Sequence, residues 1–130
     1  MSDDTLRVEL VAADRLVWSG EATVVNARTA GGEIGILANH MPVLSLLEAG
    51  VVEVETTDGD TLLVAVDDGF LSVAGNRVSI LASYAELAAD IDLAGARSEL
   101  EQARGEGDEA RQGSDVRRLE ARVRAAEKVS

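Results

Sequence analysis

Gly31-Gly32-Glu33-Ile34-Gly35-Ile36-Leu37-Ala38-Asn39-His40-Met41-Pro42-Val43-Leu44 contains the only His and the only Pro of this 130-residue chain, together with three of its twelve Gly. Gly allows positive φ or close backbone approach, whereas Pro fixes φ and removes a donor. Interleaved with Ile, Leu and Val, these residues describe a short strand, Ile34 to Leu37, that runs into a shaped turn closed by Pro42. The turn presents Asn39, His40 and Met41 at a loop tip. Glu33 is expected beside them, partly buried by its apolar neighbours. Loop tips on a rigid scaffold are where binding residues concentrate.

On either side of this stretch the apolar residues repeat with period two. Leu6, Val8, Leu10 and Ala12 alternate with Arg7, Glu9 and Val11. Asp14-Arg15 reads as a turn into Leu16-Val17-Trp18, Ser19-Gly20 as a second turn, and Glu21 to Arg28 as a longer strand. Val52 and Val54 alternate with Glu53 and Glu55, then Asp58-Gly59 marks a tight hairpin answered by Leu62, Val64 and Val66. Phe70 to Val73 and Arg77 to Leu81 form another hairpin across Gly75-Asn76. Short strands at this spacing specify an antiparallel β-sandwich or barrel of about eight to ten strands.

After Ser83 the period changes. Tyr84 to Asp90 is Ala-rich and reads as a linker leading into a helix, with Asp90 or Asp92 as N-cap. Leu93, Ala96, Leu100 and Ala103 form one helical stripe, and Gly105 and Gly107 end it. A second stripe, Val116, Leu119, Val123 and Ala126, belongs to a helix beginning at Asp108 or, after Gly113, at Ser114. The chain is therefore expected to be α+β: a sandwich over 1–84 followed by an antiparallel two-helix hairpin over 85–130. Both stripes are narrow and diluted with Ala, which buries little area, so the hairpin is the weakly held part.

With 46% apolar residues the chain can bury a core, and with no Cys it has no disulfide framework, thiolate or zinc cluster. From the acidic start Met1–Asp4 and the lack of a long apolar run, neither a signal peptide nor a membrane span is expected. A net charge of −12 argues against nucleic acid and anionic lipid as partners. Residues 1–88 carry 14 acids and 4 bases, whereas 114–130 carry 3 acids and 5 bases, so the two segments have different surroundings.

The order Gly32-Glu33-Ile34-Gly35-Ile36-Leu37, then His40, Pro42 and Leu44, resembles the signature of the epsilon subunit of the bacterial rotary (F-type) ATP synthase, called delta in mitochondria. Trp18-Ser19-Gly20 falls at that family's aromatic-Ser-Gly turn. Gly69-Phe70-Leu71 is similar to its mid-domain strand, Val78 to Ala82 to its last sandwich strand, and Ile91-Asp92 to its hairpin start. Each match is short, but together they cover the whole chain in order. The resemblance implies a non-catalytic central-stalk subunit without a cofactor of its own. Such a subunit binds the gamma subunit and the c subunits of the membrane ring, and so couples ring rotation and proton flow to the catalytic head. It implies a peripheral place at the cytoplasmic face of the cell membrane. It also implies a hairpin that folds down or extends along the stalk, meets the catalytic α/β subunits transiently and inhibits ATP hydrolysis.

The candidate site residues follow. By resemblance, Glu33 and His40 are the loop positions that meet the polar loops of the ring; Ala38 stands where the family has Pro, and Asp68 where it has Gly. Arg117, Arg118, Arg122 and Arg124, with Lys128, read as a solvated face balanced by Glu120 and Glu127. The resemblance gives the same residues a regulatory role, as an electrostatic clasp on an acidic loop of the catalytic β subunits. Some epsilon subunits bind ATP through Ile/Leu-Asp-x-x-Arg-Ala; here Ile91, Asp92 and Ala96 match, but Gly95 replaces the Arg. Arg97 lies about 200° round the helix from that position, so weak or no ATP binding is expected. Asp67-Asp68-Gly69 lacks the ligand spacing of a calcium loop and reads as a strand end. No phosphate-binding Gly-rich loop is present. As a catalytic base His40 has only Glu33 in reach of its own loop, which makes a small enzyme the least favoured reading. A free-standing sandwich module with a helical tail is the alternative to a synthase subunit.

Overall fold

β1 (Leu6–Ala12) shows the period-two rule in its plainest form, with Leu6, Val8, Leu10 and Ala12 buried while Arg7 and Glu9 face solvent. The computed structural model describes residues 5–105 and 109–129; the acidic start Met1–Asp4 and the helix signals at Gly107 and Asp108 lie outside them. The other strands are β2 (Arg15–Thr29), β3 (Gly32–Leu37), β4 (Val43–Leu47), β5 (Gly50–Thr56), β6 (Thr61–Val66), β7 (Gly69–Ala74), β8 (Arg77–Ala82) and β9 (Ala85–Leu87). A 3-10 turn (Ala88–Asp90) leads to α1 (Leu93–Gly105) and α2 (Glu109–Val129).

The strands run in the order β1-β8-β7-β4-β2-β5-β6-β9, with β3 paired to β2. All pairs are antiparallel except β1 with β8. β2 closes the sandwich: Arg15 to Ala22 pair with β1, while its second half pairs with β3 and β5. The expected turn at Ser19-Gly20 is absent. Both residues lie inside β2, and Gly20 is required because the Trp18 indole covers it; a Cβ there would sit 2.7 Å from the ring. Gly69 answers to a harder limit, since its Cβ would lie 1.8 Å from the Leu81 carbonyl oxygen across the β7–β8 ladder.

Two further expectations are corrected. Tyr84 to Asp90 is not simply a linker: Ala85–Leu87 adds to the sheet beside β6, so the strand pattern runs past the expected division at 84/85. Of the two starts expected for the second helix only the later, Ser114, is overturned, because α2 already includes Glu109 and passes through Gly113; Asp108 lies outside the described residues.

There are two cores. The first fills the sandwich with Leu6, Leu10, Ile36, Leu47, Leu71, Ile80 and the interior valines. The second lies outside it, where Val51, Leu63 and Ala65 of β5 and β6 meet Ala88, Ile91 and the two helices. The hairpin is therefore folded down on the sandwich. Helix α2 packs against α1 on one side and β5–β6 on the other. Accordingly Ala121 and Ala125 are buried in addition to the expected Leu119, Val123 and Ala126. A helix with two packed sides needs a wider apolar face than a single stripe, and Ala lets the backbones come close.

Candidate functional site

β3 is a short strand whose ladder among the described residues is to β2 alone, which leaves its other edge open. Ile34 and Ile36 turn inward, while Glu33, Gly35 and Leu37 are exposed. Glu33 is thus not buried; it begins the strand opposite Arg28. His40 lies beyond the other end, so the structure does not bring the two together. From Glu33 to Leu37 alone the strand spans about 13 Å.

At the His40 end, the chain turns through Asn39 at φ 68°. The His40 N–H donates to the Leu37 carbonyl at 3.1 Å, and His40 Nδ1 lies 2.6 Å from the Met41 carbonyl oxygen. A carbonyl only accepts, so Nδ1 carries the hydrogen of that contact. Leu37 and Met41 expose apolar side chains on either side of it. This end of β3 offers one polar ring between two apolar groups.

A second feature emerges only from strand register. Leu46 pairs with Phe70, Phe70 with Leu81, Leu81 with Val11, and Val11 with Leu16. Paired residues share a face, so one apolar row crosses β4, β7, β8, β1 and β2 on the outside of the sandwich. Leu16, Leu46, Phe70 and Leu81 are each more than half exposed, and Leu44 extends the row along β4. At ~100 Å² a side chain this approaches the largest apolar patch a monomer ordinarily shows. Sequence reading missed the row. Its local sign is an apolar residue on the face opposite to a core-facing neighbour, as with Leu46 beside Leu47, Phe70 beside Leu71 and Leu81 beside Ile80.

The basic residues of α2 do not form one surface. Arg122 donates through Nε to Glu86 and through a terminal nitrogen to Glu99, each at 2.9 Å, so it joins α2 to β9 and α1. The Tyr84 hydroxyl donates to the same Glu86 oxygen, and Arg118 lies 5.7 Å from the Tyr84 ring centre. Burial, then the neighbouring Glu86 carboxylate, holds the Tyr84 phenol well above its ordinary pKa. Burial opposes the Arg122 charge, but its bonds to Glu99 and Glu86 outweigh this and raise its pKa. Arg117 and Arg124 face the other way, into a cleft of about 770 Å³ lined also by Arg28, Glu48 and Asp68. Arg97–Glu127, Arg104–Glu120 and Lys128–Glu53 are further ion pairs made by hairpin residues.

Two remaining motifs take on local roles. Asp67 Oδ1 accepts from the Asp68 N–H, and Asp68 Oδ1 accepts from the Ser83 hydroxyl, so both carboxylates build the turn before β7. Among the described residues no His, Asp or Glu cluster is arranged as metal ligands. Ile91, Asp92 and Ala96 stand at the start of α1; a Cβ on Gly95 would lie 2.8 Å from Asp92 Oδ2.

Residues 5–88 match the family described as the beta-sandwich domain of the ATP synthase delta/epsilon chain. The ATP synthase epsilon chain of Streptomyces avermitilis is 55% identical over 94 residues, covering 72% of this chain and 76% of that one. That of Rhodococcus jostii is 52% identical over 94 residues, covering 72% and 77%. Among solved structures, a chain of the Euglena gracilis mitochondrial ATP synthase (OSCP/F1/c-ring, rotational state 1) superposes with a TM-score of 0.82 at 25% identity, over 98% of this chain and 84% of that one. A chain of the Tetrahymena thermophila mitochondrial ATP synthase central stalk and c-ring shares the fold, with a TM-score of 0.61 at 15% identity over 99% and 98%.

Proposed function

The chain belongs to the epsilon family of the F-type ATP synthase, and from that premise we propose that it is a non-catalytic central-stalk subunit coupling the membrane ring to the catalytic head. The observation that carries this reading is the apolar row Leu46–Phe70–Leu81–Val11–Leu16 on a chain of net charge −12. So acidic a sandwich has little reason to leave a row of leucines and a phenylalanine in water unless a partner covers it. In this reading the gamma subunit docks on that face. The open edge of β3 lies along the c subunits, with Glu33 at one end and His40 at the other. No helix among the described residues is long and apolar enough to cross a membrane. Association with the cytoplasmic face of the cell membrane therefore runs through the complex.

The sandwich is the fixed part and the hairpin the regulatory one, with the swinging segment starting after the 3-10 turn, at Ile91-Asp92. Docked, the hairpin keeps Arg118 on Tyr84 and Arg122 on Glu86 and Glu99. The basic residues that would meet the catalytic β subunits are then partly occupied within the chain, so the docked form is the permissive one. Inhibition of ATP hydrolysis requires release.

Binding of purified gamma subunit by the wild-type chain and by the double variant Phe70→Asp, Leu81→Asp tests the docking face. Both side chains are more than half exposed, so the substitutions remove no core residue, and circular dichroism checks that the variant is folded. Loss of gamma binding by a folded variant is expected, and undiminished binding would refute the face.

A further inference from the structure

The turn after β3 lacks the proline that would fix its backbone at position 38, and yet it is held. We infer that Asn76, from the two-residue turn between β7 and β8, is the positioning residue for the Asn39–His40–Met41 loop. Asn39 and Asn76 both adopt positive φ, 68° and 62°, a conformation that Asn tolerates better than other side-chain-bearing residues. In that geometry the Asn39 N–H donates to Asn76 Oδ1 at 2.6 Å, and Asn76 Nδ2 donates back to Asn39 Oδ1 at 3.5 Å. The backbone of Asn76 is anchored in turn, because its carbonyl accepts the Arg7 N–H at 2.8 Å.

The two asparagines are 37 residues apart in sequence, so their bond ties the loop to a hairpin on a different part of the sandwich. From Asn39 the restraint passes directly to the residue carrying the imidazole, whose own N–H is bonded back to Leu37. Met41 is 76% exposed and contributes no burial to hold the tip in place. The clasp therefore does from across the fold what a proline does from within the loop. That the held loop serves the ring rests on the reading above; that it is held by Asn76 does not.

Asn76→Gly keeps the left-handed backbone, which Gly adopts freely, and deletes the acceptor; Asn76→Asp restores an oxygen acceptor at the same place. Amide hydrogen exchange of the full-length chain reports the result at His40, whose N–H touches Leu37 rather than Asn76. We expect His40 to exchange roughly five- to tenfold faster in Asn76→Gly, as loss of one hydrogen bond allows. The rate should return in Asn76→Asp, with the amides of β1 and β7 unchanged in both. An unaltered His40 rate in Asn76→Gly overturns the positioning role. Binding to the purified membrane ring, measured in parallel, should weaken in Asn76→Gly and recover in Asn76→Asp. Faster His40 exchange with undiminished ring binding leaves the positioning role standing and overturns the ring contact instead.

Discussion

Replacing Arg122 by Met should release the hairpin while leaving the sandwich intact. Met keeps the apolar length of the side chain and removes only its charge and donors. Arg122 is 17% exposed and its partner Glu86 25%, so the bond between them is largely shielded. A hydrogen bond to such a charged group contributes about 1.5–2 kcal/mol. Glu99 is 57% exposed, and its pairing adds no more than ~0.5 kcal/mol. Together they give about 2 kcal/mol, or about 30-fold in the docked-to-released ratio. Once released, helices of 13 and 21 residues have no sheet to pack on and are marginal in water, so their amides exchange freely. Hydrogen exchange across Leu119 to Ala126 should therefore accelerate by about 30-fold, while Val8, Leu71 and Ile80 keep their rates. Glu86→Gln should act in the same direction, and Glu99→Gln much more weakly. Unchanged exchange in α2, or equal effects of the two glutamine variants, would refute the latch.

Three other consequences are open to test. The single tyrosine, Tyr84, has its pKa raised in the folded chain, so the native state holds a proton there that the unfolded chain gives up near its ordinary pKa of about 10. Its contribution to hairpin docking is complete below that pH and fades as pH rises through and above it, which a phenolate absorbance titration alongside the unfolding free energy should show. ATP should bind weakly or not at all in calorimetry on the isolated chain, since Gly95 replaces the Arg of the ATP pattern and Arg97 lies about 200° round the helix from it; affinity at millimolar or tighter would contradict this. Arg117→Glu with Arg124→Glu reverses two exposed charges that have no ion-pair partner among the described residues. ATP hydrolysis by the assembled enzyme should rise without faster α2 exchange, and unaltered hydrolysis would leave these residues as plain solvated surface.

Much of the fold could be read from residue periods. The alternation in β1 and β5 and the helical stripes on α1 and α2 depend on near neighbours only, and they appear in the structure as expected. What escaped depended on contacts distant in sequence. Gly20 looks like a turn residue until Trp18 is seen lying across it. Ala85-Glu86-Leu87 has too few residues to show a period and becomes a strand because β6 has an open edge. Glu33 and His40 seemed to share a loop because they are close in sequence, but the strand between them holds them apart. The apolar row belongs to the same class, since five residues on five strands become neighbours only through register. Arg118 and Arg122 read as part of a solvated face balanced by Glu120 and Glu127 for the same reason: Tyr84, Glu86 and Glu99 lie far from them in sequence.

The central claim is that this chain works inside a rotary synthase through its sandwich face. Affinity-tagged wild-type chain and the Phe70→Asp, Leu81→Asp variant, each purified from gently solubilised native membranes, test it most directly, with ATPase activity measured on the eluate. The account predicts a stoichiometric, ATP-hydrolysing complex with the wild-type chain and a bare 13.6 kDa species with the variant. A bare wild-type chain, or a full complex with both, would contradict it.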